Sequence, residues 1–267
     1  MVDDSRADVK INGDGSLSGG SYGDVTINGA GTLNGDIECA KYTINGAGTS
    51  NGRVVAQSII VNGQGTFNGE VQSAAMTVNG DVSIRDGVGI GQLAIKGNAT
   101  VGGSIAAHEI SVRGFLRGAG DCQAEQFSGE GAFTIGGLLS ADMIDFKVYG
   151  TCAATEIGGE KITIRSPQGF QSITQIFTFW TEKRLTAETI EGDDVFLEGV
   201  TAKTVRGRNV TIGADCKVDV VEYSDNYART DGAMVGEARK VDANIPPESG
   251  PAPAPAPATA EVEPESV

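Results

Sequence analysis

The chain has 267 residues, of which 39% are hydrophobic and only 6% aromatic, with 39 glycines spread along its length. This excludes a broad aromatic-rich core and favours a thin one built from Val and Ile; the absence of a Gly-X-Y period excludes collagen. A net charge of −15 and a pI near 4.4 exclude the clustered Lys and Arg that phosphate binding requires, so nucleic acid is not an expected partner.

After residues 1–8, expected to be a disordered N-terminus, the segment 9–165 repeats itself. Glycines recur at Gly13, Gly29, Gly46, Gly63, Gly80, Gly97, Gly114 and Gly131, one step of 16 residues followed by steps of 17. A second column runs through Gly35, Gly52, Gly69, Gly103, Gly120 and Gly137, with Asp86 in its vacant place. Apolar columns keep the same step. One is Ile27, Ile44, Val61, Val78, Ile95 and Val112, and a second is Val25, Tyr42, Ile59, Met76, Leu93, Ile110, Phe127 and Ile144. A third is Leu33, Phe67, Ile84, Val101 and Ile135, with Ser50, Gly118 and Cys152 as weaker members; a fourth is Ile37, Val54, Val71, Val88, Ile105, Cys122 and Leu139.

Inside each unit these residues alternate with polar ones, the period-2 signature of short strands with one face inward. Asn-Gly pairs such as Asn28-Gly29 and Asn45-Gly46 mark corners, because both residues tolerate positive φ. A hairpin meander has no reason to hold one register over eight units. A coil stacked on its predecessor does, because a single turn cannot bury its inner face and a stack can. The predicted fold is all-β: a right-handed parallel β-helix with coils of about 17 residues.

Next comes an irregular stretch, 166–184, which holds the sole Trp. Phe170, Phe177, Phe179 and Trp180 make it either a plug where coil size changes or a partner-binding surface. Over 185–223 a 15-residue step takes over, matching Ile190 with Val205 and Val220, Val195 with Val210, and Leu197 with Ile212. Residues 224–245 are expected to form a cap or linker. Residues 246–267, rich in Pro, Ala and Glu, read as a disordered tail.

Catalytic chemistry finds little support. The one histidine, His108, is placed in the inward parity two residues before Ile110 or just beyond a corner, with no triad partner. Asp193-Asp194 is a tight acid pair at a corner, and Thr26, Thr43 and Thr77 begin a hydroxyl ladder that Ile60 and Ala94 break. The four cysteines, Cys39, Cys122, Cys152 and Cys216, lack metal-ligand or C-x-x-C spacing and read as buried thiols. The expectation is a chain that is not an enzyme and carries no catalytic, metal or cofactor site. A β-helical acyltransferase or polysaccharide-active enzyme is the minor alternative. With no apolar signal core at Met1–Arg6 and no long apolar run, the expected location is the cytoplasm, at the inner face of the membrane only through partners.

From Val25 to about Leu139, the recurring apolar-x-apolar-Asn-Gly unit followed by x-x-x-x-Gly-x-apolar, as in VTINGAGTLNGDI and IIVNGQGTFNGEV, resembles the bactofilins, polymer-forming cytoskeletal proteins of bacteria. The resemblance implies nucleotide-independent, end-to-end assembly into non-polar filaments, with roles in cell shape, cell-wall enzyme localisation and motility. The implied partners are the chain itself, another bactofilin, and cell-envelope or motility proteins. The chain departs from the family in a solenoid about twice as long and in lacking the short apolar membrane-targeting segment of some members, so direct membrane binding is not expected. The residues expected at the polymerising ends are Val9, Ile11 and Leu17 at one tip and Val218, Val220 and Val221 at the other, where unpaired strand edges meet solvent. The competing expectation is a β-helical scaffold that does not polymerise and recruits a partner through the aromatic insert.

Overall fold

The computed structural model describes residues 6–166 and 184–242. Strands follow one another from Val9–Ile11 to Met234–Lys240, and every pairing is parallel. The architecture is a parallel β-solenoid of about 13 turns of about 17 residues. Each turn of the regular part consists of an eight-residue strand such as Val54–Val61, a corner, a four-residue strand such as Gln64–Phe67, and a second corner.

The apolar columns are ladders. Ile11, Ile27, Ile44, Val61, Val78, Ile95 and Val112 are successive register partners. So are Val25, Tyr42, Ile59, Met76, Leu93, Ile110 and Phe127. From the second turn inward these side chains are almost fully buried. Each is covered above and below by an equivalent residue, so the core is one continuous rod and not a set of separate clusters.

The weak members of the third column are accommodated individually. Ser50 is fully buried between Leu33 and Phe67, and its hydroxyl meets the Tyr42 hydroxyl at 3.1 Å. Tyr42 also packs edge-on against Phe67, with centroids 6.0 Å apart, so a ring from the next column fills the space the small serine leaves. Gly118 is flanked by the Ile105 and Ile135 side chains in the same way. Cys152 does not continue this column. Ile135 pairs with Ala154 because the turn between them is longer than the regular step, and the register shift between Ile135 and Leu138 then takes back part of the difference. Three rings, Phe127, Phe133 and Phe146, fill the wider interior there, with centroids 5.0 to 5.6 Å apart.

The Asn-Gly corners hold for a reason other than the one expected. In the column Gly29 to Gly114 no glycine has positive φ. A Cβ on Gly29 would lie 2.5 Å from the carbonyl oxygen of Gly13, and the later members meet the oxygen below in the same way. Stacking distance therefore excludes a side chain here, whereas Gly35, at φ 102°, does need the conformational freedom of glycine.

The second half differs from the sequence expectation in two respects. Residues 167–183 lie outside the described part, yet Thr151–Arg165 pairs directly with Arg184–Leu197, so the ladder continues across them. The 15-residue step holds once, from Leu185 to Val200. Asp215, at φ 58°, then adds a residue to the corner, so Val205 lies beneath Val221 and not Val220. Nor does the ladder stop at Tyr223: strands Lys217–Arg229 and Met234–Lys240 carry it on through what was expected to be a cap or linker. Among the described residues this turn has a neighbour on one side only, so its inward residues need not be strongly apolar. That hides it from a search for hydrophobic columns.

Candidate assembly interface at the solenoid ends

A strand inside the stack satisfies its backbone against a turn on each side; a terminal strand has one side open. Among the described residues, Val9–Ile11 pairs only with Asp14–Ile27. The stretch Asp14–Ser18 likewise has a partner on one side only, in Ala30–Ile44. The inward side chains there are Val9, Ile11 and Leu17. All three are half-buried, whereas their register partners Val25, Ile27 and Leu33 are fully buried. Ile11 and Leu17 pack against the open slice of core, with Val9 half-buried two residues before Ile11 on the same face of its strand.

The opposite tip does not match expectation. Val218 and Val221 are buried, capped by Val235 and Ala238 of the last turn, and Val220 is half-buried on the other face of its strand. Among the described residues the open slice belongs to Met234–Lys240 and the second half of Lys217–Arg229. Here Tyr223 and Tyr227 stack with centroids 5.3 Å apart and pack against the core, while Met234 is 62% exposed. These residues are not legible in the repeat because the turn Met234–Lys240 carries few apolar side chains.

The outer surface near this tip is held by alternating charges. Glu191, Arg206, Glu222 and Arg239 form one column. Arg206 bonds Glu222 at 2.6 Å and lies 3.8 Å from Glu191, and Arg239 bonds Glu222 from the turn beyond. The Arg239 and Arg206 hydrogen bonds hold the Glu222 carboxyl below the usual carboxylate range against a smaller opposing effect of burial. Beside this column, Arg208 lies 3.9 Å from Asp193 and 3.5 Å from Asp225, and Lys203 reaches Glu188 at 2.7 Å. The Asp193-Asp194 corner is thus split: Asp194 accepts from Asn209 at 2.7 Å.

Other sequence candidates are dispersed. His108 points outward, not inward; its ring is 76% exposed and Nδ1 lies 3.0 Å from Glu125, one turn on. The inward place next to it belongs to Ile110. All four cysteines are buried and free, and burial raises the Cys39 and Cys152 thiols to about 11 and that of Cys122 to about 12. An open groove of about 500 Å³ runs over Ala154, Thr186, Ala202, Lys203 and Asp219, where turn length changes. Phe170, Phe177, Phe179 and Trp180 lie outside the described residues.

Over 108 residues the chain is 38% identical to the uncharacterized protein YhbE of Bacillus subtilis (strain 168), a match covering 40% of this chain and 44% of the relative. Over 68 residues it is 40% identical to the uncharacterized protein YhbF of the same organism, covering 26% of each. The chain therefore spans less than half the length of these curated relatives. No family model matches it, and no solved structure does. It is a β-solenoid protein related to YhbE and YhbF.

Proposed function

We propose that this chain is a bactofilin-like cytoskeletal protein that assembles end to end into filaments without nucleotide. The observation carrying this reading is the N-terminal tip, where among the described residues one strand edge is unpaired, with Ile11 and Leu17 packed against the core behind it and Val9 half-buried beside them. Docking a second tip there completes the backbone hydrogen bonds and buries the aliphatic patch, the two terms that stabilise each turn inside the stack. Because the two tips differ, aliphatic at one end and aromatic and charged at the other, like-with-like docking gives each patch a chemically matched partner and yields filaments without polarity. The net charge of −15 keeps filament sides apart. In this reading the filament works in the cytoplasm and scaffolds cell-shape, cell-wall or motility machinery.

Negative-stain microscopy of the purified chain tests the proposal. Filaments without bound nucleotide are expected. Uniformly monomeric particles across salt and protein concentration would leave the competing reading, a scaffold that recruits partners without polymerising. Deleting residues 170–181 separates the two further. Filaments should persist if the tips drive assembly.

A further inference from the structure

The sequence contains eight Asn-Gly pairs, the dipeptide most open to attack of a backbone nitrogen on the preceding side-chain amide, because glycine offers that nitrogen no steric cover. The structure sorts the eight by how firmly their reacting groups are held. In the first amide column, Asn79 donates to Asn62 (2.8 Å), Asn62 to Asn45 (2.7 Å), Asn45 to Asn28 (2.8 Å) and Asn28 to Asn12 (2.8 Å). In the second, Asn68 donates to Asn51 (2.9 Å) and Asn51 to Asn34 (3.0 Å). Within the first column the attacking nitrogen is also occupied: Gly46, Gly63 and Gly80 donate to Ile27, Ile44 and Val61 of the preceding turn at 3.3, 3.2 and 3.1 Å.

Asn12 and Asn34 head these columns and differ from the rest. Each accepts a bond through its Oδ1, but among the described residues neither amide nitrogen donates to any acceptor. Among the described residues the Gly13 nitrogen likewise donates to no backbone carbonyl. Both asparagines are exposed to the water and base the reaction needs.

We propose that Asn12 and Asn34 are sites of spontaneous deamidation, and that the ladders protect Asn45, Asn62 and Asn79. The glycine nitrogen gives its proton to solvent base and bonds to the asparagine Cγ. The Cγ–Nδ2 bond breaks, and ammonia leaves with a proton from water. Water then opens the cyclic imide to aspartate or isoaspartate, with no change in oxidation state. The fold accepts the aspartate product, because carboxylates already head two other columns. Asp81 accepts from Asn98 at 2.7 Å, and Asp194 accepts from Asn209, which in turn accepts from Asn226. For Asn34, one turn further in, the proposal is independent of the filament reading; Asn12 follows Ile11 at the tip that reading buries, so its rate is compared on unassembled protein.

The test is peptide mapping by mass spectrometry of the full chain after incubation at mildly alkaline pH, native and in denaturant. In the native protein Asn12 and Asn34 should convert at least about tenfold faster than Asn45, Asn62 and Asn79, the factor one further hydrogen bond puts on a rate. Asn28, Asn51 and Asn68 should fall between. In denaturant the eight should converge. Equal native rates, or an order that persists in denaturant, would overturn the proposal. N12D and N34D should keep the parent melting temperature and co-elute on ion exchange with the aged species; unfolding of either would refute the claim that a carboxylate head is accepted.

Discussion

At Gly46 the preceding turn leaves no room for a methyl group. A Cβ there would press on the backbone oxygens of Gly29 and Asn28, and neither can yield without spreading the turns. G46A should therefore cost about 2–4 kcal/mol in denaturant unfolding, whereas alanine at an exposed corner limited only by φ would cost less. Ser50 is a second site where one atom decides the outcome. S50A leaves the buried Tyr42 hydroxyl without its partner, at about 1–3 kcal/mol, and the same loss should not appear in the Y42F/S50A double variant. The cysteines show how burial sets reactivity. Cys122, pushed from 9.0 to about 12 by desolvation, stays a thiol at neutral pH. Thiol reagents should label none of the four in the native chain and all four in denaturant. Its raised value means that the folded state binds the proton more tightly. Its contribution to stability is complete below pH 9.0 and declines as pH rises towards 12.

Among the strands and their corners, two kinds of outer column tie the turns together. The first half uses neutral amides, each both donor and acceptor, so an identical residue can recur at every turn. The C-terminal half uses charge, where identical residues would repel and signs must alternate, as they do through Glu191, Arg206, Glu222 and Arg239. The two should respond differently to pH. Glu222 is only 13% exposed, and its depressed value means the charged form is favoured by folding. Its stabilising contribution is present above 4.5 and is lost as pH falls through the lower folded value. In thermal melts E222Q should be less stable than the parent at neutral pH, and the gap should close in acid. N45A, which removes two exposed amide bonds, should cost about 1 kcal/mol with no such pH dependence.

For the whole molecule, stability and assembly draw on the same core at different places. Ile11 and Leu17 lie on the open slice, so replacing them removes little internal packing. I11D/L17D should alter unfolding free energy by no more than about 1–2 kcal/mol while abolishing filaments seen by microscopy. Filaments of unchanged length in that variant would place the contacts elsewhere. Much of this was legible beforehand. The columns through Ile44 and Ile59 were readable because a 17-residue step repeats each side chain in the same environment turn after turn. Where the step changed, legibility failed. The added residue at Asp215 moved the column from Val220 to Val221, and the lengthened turn after Ile135 displaced Cys152 by Ala154. His108, read as inward or just beyond a corner, lies inside the strand Ile105–Val112 where the pairing skips it, and its side chain faces out. The last turn, from Met234 to Lys240, was missed because a terminal coil buries only one of its sides.

The repeat alone determined that the chain forms a parallel stack and which Val and Ile residues point inward, because a period of one turn puts equivalent residues in vertical contact. Only the tertiary structure decided why the corner glycines are needed, which asparagines are bonded on both sides, and where the rod exposes its core. Those properties depend on the distance between turns and on which turn has no neighbour, and neither is written in the spacing of residues along a chain.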